Sequence, residues 1–158
     1  MAVTATPIFP QTPNVGLMNV VLSTAMTNTK AFDGTDTAGT ALAQCYLAGA
    51  NGSRVDYVKV KLGSTNGLTA SGTSSASIIR LWINNGSDNT VAANNQYIGE
   101  VAIPGTAVTS LATAVTSDYF FPIPSINIPA GYKLYAGATV AAGGTNIGFR
   151  VSASGGDY

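Results

Sequence analysis

Residues 49–62 read GANGSRVDYVKVKL, a tight turn followed by a strand. The turn is indicated by Asn51-Gly52, because these residue types tolerate the positive φ that most side chains avoid. Apolar and polar side chains then alternate, with Val58, Val60 and Leu62 on one face and Tyr57, Lys59 and Lys61 on the other. This period of two is typical of a half-buried β-strand. The stretch contains no catalytic motif.

A second strand is predicted over Ser77–Asn84. Ile79, Leu81 and Ile83 point to one side of it, and Arg80 and Trp82 point to the other. Two arrangements with the first strand are open: the aliphatic faces meet across a core, or the strands lie side by side in one sheet. In both arrangements the two strands form the central core of an all-β domain.

Six further strand signals are separated by turns rich in Gly, Pro and Asn: residues 16–24, 41–47, 97–103, 119–128, 134–141 and 147–153. Pro122 and Pro124 confine the strand at 119–128 to a sheet edge or a bulge, because proline cannot donate to a ladder. The run Gly143-Gly144-Thr145-Asn146 predicts a hairpin-like connection between the last two strands. Together these signals predict a single-domain antiparallel β-sandwich, specifically a jelly roll with about eight strands.

The first 15 residues are predicted to form an extended arm, with the β-sandwich (jelly-roll) domain spanning residues 16–158. Three of the seven prolines, Pro7, Pro10 and Pro13, lie in this arm and disfavour a strand inside a sheet. Ile8 and Phe9 are its predicted anchor on a neighbouring subunit. The alternative interpretation is a disordered tail.

Charged residues are scarce: they make up 9% of the 158 residues, against about 25% in typical soluble domains, and the formal net charge is zero. No basic surplus is present to neutralise phosphates, so no nucleic-acid partner is expected. A neutral surface with few charges is poorly protected against association, which favours a protein that works inside an assembly. The sequence predicts neither a secretory signal nor a membrane span.

The residue types that most enzymes need are missing. The chain has no histidine, which excludes Ser-His-Asp and Cys-His arrangements and a His-ligated zinc. The single cysteine, Cys45, lies in an apolar run and is predicted to be buried. Two polar segments, residues 33–37 and 84–89, resemble calcium loops but lack the further ligands that such loops supply. We therefore expect no enzymatic activity, no metal and no cofactor.

Two aromatic side chains lie on the outward faces of the two central strands. If Tyr57 and Trp82 are exposed, they can stack on a sugar ring or anchor a protein interface, and both are candidate partner contacts. The alternative is that they belong to a second buried layer.

Five short motifs follow one another along the chain: Asp33-Gly34-Thr35, Ala48–Val55, Ser77–Ile83, Ile128–Gly131 and Gly155–Tyr158. Their order resembles that of small proteins encoded in the structural gene clusters of tailed phages. The resemblance implies a virion protein, and specifically a jelly-roll capsid decoration (cement) protein. Such a protein is made in the host cytoplasm and binds the major capsid protein at the capsid surface. The resemblance assigns no functional residues.

This role predicts a homo-oligomer, and a trimer rather than a dimer, because capsids offer threefold positions where a trimer repeats one contact three times. The alternative is a head- or tail-fibre module that binds a host surface glycan. Exposed aromatic residues around a groove would favour the glycan module, and an apolar patch buried between subunits would favour the decoration protein. A bacterial carbohydrate-binding module is a third, weaker interpretation because no secretion signal is expected.

Overall fold

The computed structural model describes residues 9–16, 20–26, 33–35, 42–65, 70–108 and 118–158. Among these residues the only helical element is a 3-10 turn at Ala92–Asn94. The strands are β1 (Thr12–Asn14), β2 (Val20–Leu22), β3 (Leu42–Leu47), β4 (Ser53–Ser64), β5 (Gly72–Thr73), β6 (Ser77–Asn84), β7 (Asn95–Ile103), β8 (Ala107–Val108), β9 (Tyr119–Phe120), β10 (Ile126–Ile128), β11 (Lys133–Ala138) and β12 (Ile147–Asp157). The predicted all-β class is therefore confirmed.

Two antiparallel sheets pack face to face as a sandwich. The six-stranded sheet has the order β1-β12-β4-β10, with β2 also paired to β12 and β9 also paired to β4. The four-stranded sheet has the order β3-β11-β6-β7, and β5 and β8 form a separate small ladder. The predicted antiparallel sandwich is confirmed. The described residues form twelve strands, several of them only two or three residues long, so the predicted count of about eight is not confirmed.

The two central strands, β4 and β6, lie in different sheets, so their aliphatic faces meet across the core. This decides between the two arrangements that the sequence left open. Val58, Val60, Ile79 and Leu81 each have none of their surface exposed and belong to one apolar cluster. Removing apolar surface from water stabilises a fold by about 25 cal/mol per Å², so this cluster is the main source of stability for the fold.

A β-bulge at Asp56 breaks the alternation of β4. Opposite it on β12, Ser154 pairs with Tyr57 but Gly155 pairs with Val55, so Asp56 is an extra residue. The bulge lets both Val55 and Val58 face the core, although three positions separate them. A Cβ at Gly155 would overlap the carbonyl oxygen of Arg54, so only glycine fits opposite the bulge.

The prolines of the segment at 119–128 act as predicted. The segment is divided into β9 and β10, which both pair with β4 at the edge of the six-stranded sheet. Pro122 and Pro124 lie between these two short strands, where no ladder hydrogen bond is required of them.

The prediction of a hairpin at Gly143–Asn146 is wrong. The strands on either side of it, β11 and β12, belong to different sheets, so this connection crosses from one sheet to the other. Gly143, Gly144 and Asn146 all have positive φ, which accounts for the turn-like residue types. The sequence carried the signal for a turn, but a turn signal does not reveal which strand the chain joins next.

The predicted arm contains a strand. Thr12–Asn14 pairs with the end of β12 at the edge of the six-stranded sheet, a position that tolerates Pro13. Phe9 is 68% exposed, and Ile8 lies outside the described residues. At least three residues of the predicted arm therefore contribute to the sheet of their own chain.

Candidate functional site: an aromatic patch on the six-stranded sheet

Trp82 is not a surface residue, which corrects the prediction of an exposed aromatic contact at this position. Its side chain is 1% exposed and packs in a small cluster with Leu42 and Tyr135 on the outer side of the four-stranded sheet. The loop at Gly34 covers it, since a Cβ at Gly34 would lie 3.0 Å from the indole ring. The alternative of a second buried layer therefore holds for Trp82.

Tyr57 is 41% exposed on the outer face of the six-stranded sheet. It meets Phe120 edge-to-face, with 5.7 Å between the ring centroids and an interplanar angle of 71°. Phe120 is itself 54% exposed. An edge-to-face pair of this kind is a favourable aromatic arrangement, and here it leaves apolar ring surface in contact with solvent.

Strand register brings the two rings together. In the pairing of β4 with β9, Phe120 lies opposite Lys59, two residues along the strand from Tyr57. The two aromatic residues are therefore diagonal neighbours on one face, close enough for their rings to meet. Sequence reasoning did not select Phe120, because the residue that lies opposite it is set by tertiary pairing. The sequence signal that could have selected Phe120 is its place in the segment 119–128, which its two prolines confine to a sheet edge.

Charged side chains lie next to the rings. Asp118 pairs with Lys59 at 3.3 Å and with Lys61 at 3.7 Å. These three side chains are between 32% and 53% exposed, so the ion pairs are screened by water and contribute little stability. We call Tyr57, Phe120, Lys59, Lys61 and Asp118 the aromatic patch. It combines apolar rings, two cations and one carboxylate on an exposed face.

A second cluster holds the end of the chain in place. The Asp157 carboxylate accepts hydrogen bonds from Asn14 Nδ2, at 2.8 Å, and from Ser53 Oγ. Ser53 Oγ also accepts the backbone N–H of Gly49 at 3.0 Å. Two of the sequence motifs, at 48–55 and 155–158, therefore meet in space, and their residue types are explained by structural hydrogen bonds.

Two polar loops, at 33–35 and 84–95, pack against each other. The Asn95 side-chain amide donates to the carbonyl oxygens of Asp33 at 3.2 Å and Asn89 at 2.6 Å. The carboxylate of Asp88 accepts the backbone N–H of Thr90, which lowers the pKa of Asp88. Within the described residues, no group of three or more His, Cys, Asp or Glu side chains is placed to hold a metal ion.

Cys45 is fully buried, as predicted. Desolvation raises the pKa of its thiol to about 12, and the backbone hydrogen bond that partly opposes this shift is a smaller effect. The thiol is therefore protonated at neutral pH, and the reactive thiolate is suppressed.

A groove of about 440 Å³ lies at one end of the four-stranded sheet. Its walls are mainly apolar and come from residues 76–78, 102–104 and 139–140, none of which is aromatic. The exposed aromatic pair and this groove are therefore separate features.

Comparison of the sequence with protein-family models and with curated proteins finds no match. No helix in the described part of the chain has the length and the apolar character that crossing a membrane requires.

Proposed function

We propose that this chain is a capsid decoration (cement) protein of a tailed phage, which binds the major capsid protein and stabilises the head lattice at the capsid surface. The observation that carries the proposal is the exposed pair Tyr57–Phe120 on the outer face of the six-stranded sheet. Aromatic residues are enriched at the centres of protein interfaces, where a few side chains supply most of the binding free energy. The motif order described above, which resembles that of phage structural proteins, is the second support.

The surface around the rings suits a protein partner. β4 and β12 are 12 and 11 residues long, and they pair along their whole length to give an extended face. An interface of standard size needs about 800 Å² on each partner, which a sheet face of this length can supply. A glycan-binding module would be favoured by exposed aromatic residues around a groove. No aromatic residue lines the apolar groove.

The jelly roll remains part of the proposal, and the strand order supports it. In chain order, the six-stranded sheet contains β1, β2, β4, β9, β10 and β12, and the four-stranded sheet contains β3, β6, β7 and β11. Both β1 and β2 pair with β12, and both β9 and β10 pair with β4. If each of these two pairs of short strands is taken as one interrupted strand, eight strand positions divide into two sheets of four. This division is the one expected of two Greek keys folded into a jelly roll.

The proposal is tested by examining particles of the phage that encodes the chain. We expect mass spectrometry to find the chain in purified virions, and immunogold electron microscopy to place it on the heads. A recombinant chain should bind particles that lack it, and Tyr57→Ala or Phe120→Ala should weaken that binding at least tenfold, the size of effect seen at interface hot spots. Val91→Ala, at an exposed apolar residue outside the patch, is the matched control and should bind normally.

The proposal also includes self-association as a trimer. Light scattering across a concentration series should report a mass about three times the 16.0 kDa of one chain. A monomer at every concentration would contradict the proposed trimer. Absence of the chain from virions would contradict the proposed decoration role.

A second candidate function is a head- or tail-fibre module that binds a host surface glycan. The observation that favours it is the same aromatic pair, because a ring next to a carboxylate such as Asp118 can stack on a sugar and accept its hydroxyl hydrogen bonds. Immunogold label at the tail tip and binding to purified host surface polysaccharide would support this function over the first.

A further inference from the structure

The zero net charge of the sequence conceals an uneven distribution of charge in the fold. The outer face of the six-stranded sheet carries four basic side chains and two acidic ones: Arg54, Lys59, Lys61 and Arg150, with Asp56 and, beside β9, Asp118. The other charged residues that the structure describes are two basic and four acidic: Arg80 and Lys133, with Asp33, Asp88, Glu100 and Asp157. The face around the aromatic patch is therefore positive by two charges, and the rest of the described chain is negative by two.

Two of these cations are neighbours. Lys61 and Arg150 lie directly opposite each other on β4 and β12. Like charges in this position destabilise a sheet, so the isolated chain gains nothing from the pair. A negatively charged partner would attract both cations and so offset the repulsion between them.

The arginines are partly occupied within the chain. Arg150 donates from Nε and Nη2 to the carbonyl oxygen of Ser64, at 2.9 and 2.5 Å. Arg54 Nε lies 2.8 Å from the carboxylate of Asp56. Neither guanidinium offers its full fork for bidentate recognition of a phosphate or a sugar carboxylate. Lys59 and Lys61 share the single carboxylate of Asp118, so their two charges are only partly balanced within the chain, and each acts as a point charge on a flexible stem.

We propose that the outer face of the six-stranded sheet docks on an acidic protein surface. Tyr57 and Phe120 insert against apolar side chains of the partner, and partner carboxylates lie over Lys59, Lys61 and Arg150. This inference rests on the proposed function and names the chemistry of the partner at the same site. A charge of plus two is small for holding a phosphate backbone, and the occupied guanidinium forks disfavour a specific acidic sugar, so the protein surface fits best.

The test uses nuclear magnetic resonance of the full-length 15N-labelled chain, with a soluble peptide of alternating Glu and Leu as the probe. A Lys-Leu peptide of the same length is the charge-reversed control. We expect the Glu-Leu peptide to shift amide signals of β4, β9 and β12, and the Lys-Leu peptide to shift none of them. The dissociation constant should rise steeply with salt, because the contacting charges are exposed.

Variants make the test specific. Lys59→Gln and Lys61→Gln should each weaken binding about threefold, and together about tenfold, as expected for exposed charges. Lys133→Gln removes the same charge from the other sheet and should leave binding unchanged. Equal melting temperatures would show that all four variants, including the double one, fold.

Each outcome decides the inference. It is overturned if the Glu-Leu peptide does not bind at millimolar concentration, if its shifts lie outside β4, β9 and β12, or if Lys133→Gln weakens binding as much as Lys61→Gln. Tighter binding of hyaluronan or of a DNA oligonucleotide would also overturn it in favour of another partner class. If virions bind the Lys59→Gln/Lys61→Gln chain normally, this inference fails and the decoration role stands. If the peptide binds as described and virions lack the chain, the decoration role alone fails.

Discussion

Leu81 gives the sharpest test of the core, because Leu81→Asp would place a carboxyl group where none of the native side chain is exposed. The lost burial of leucine costs about 1.5–3 kcal/mol, and a buried carboxyl without partners costs about 1–3 kcal/mol more. The sum of about 2.5–6 kcal/mol approaches the whole stability of many domains, which is about 5–15 kcal/mol. For a chain of this length, the melting temperature should fall by roughly 5–24 °C.

The pH dependence of Leu81→Asp carries a further signature. Burial raises the pKa of the introduced carboxyl in the folded state, so the folded chain holds this proton to a higher pH than the unfolded chain does. The deficit relative to the native chain should therefore be smallest below about pH 4 and grow by about 1.4 kcal/mol per pH unit above it, until the folded pKa is passed. Leu81→Asn has nearly the same shape and no titration, so its deficit should stay constant.

Urea unfolding followed by circular dichroism between pH 3 and pH 8 measures these differences. Leu47→Asp is the matched control, because Leu47 is 45% exposed and the same substitution there should change stability little. If Leu81→Asp does not fold, Leu81→Ala replaces it, with an expected loss of about 2–5 kcal/mol. Finding that Leu81→Asp and Leu47→Asp melt at the same temperature would refute the assignment of Leu81 to the inner face.

Three other predictions follow from the described contacts. Gly155→Ala should lower the free energy of unfolding by about 2 kcal/mol or more, because its Cβ would overlap the carbonyl oxygen of Arg54. Gly131→Ala, with open space around it and a φ of +73°, should lower it by only about 1 kcal/mol. Equal melting temperatures for the two variants would argue against the bulge. Cys45 should not react with a thiol reagent at pH 8 until the chain is unfolded, since its pKa is raised to about 12, and rapid reaction of the native chain would contradict its burial. Calcium should not change the melting temperature relative to chelator, and a rise of many degrees would show an ion bound to the folded state.

Local sequence patterns predicted the longer strands and their inner faces, but not the short strands Thr12–Asn14, Gly72–Thr73 and Ala107–Val108. Ser77–Asn84 was predicted with the bounds that the structure has, and Leu42–Leu47 and Asn95–Ile103 differ by one and two residues at their starts. These features depend on the alternation of apolar side chains, which is a property of neighbouring residues. The positive φ of Gly52 is likewise predicted locally, from the residue types of the turn at Asn51-Gly52.

The position of Trp82 could not be obtained from such patterns. It was correctly assigned to the face opposite Leu81, but whether that face meets solvent depends on the loop at Gly34, which is distant in sequence. The hairpin predicted at Gly143–Asn146 failed for a related reason, because a turn constrains the chain only locally and the choice of sheet is made by long-range packing.

The sequence by itself determined the class of the fold, the two strands at its centre and the absence of histidine chemistry, because each of these depends on residue type and short-range period. Only the tertiary structure decided that Tyr57 pairs with Phe120 rather than with Trp82, and that a chain of zero net charge has one positive face. Both of these features depend on strand register and on which loops cover which sheet. Register places residues more than 60 positions apart within contact distance, and no local pattern specifies that pairing.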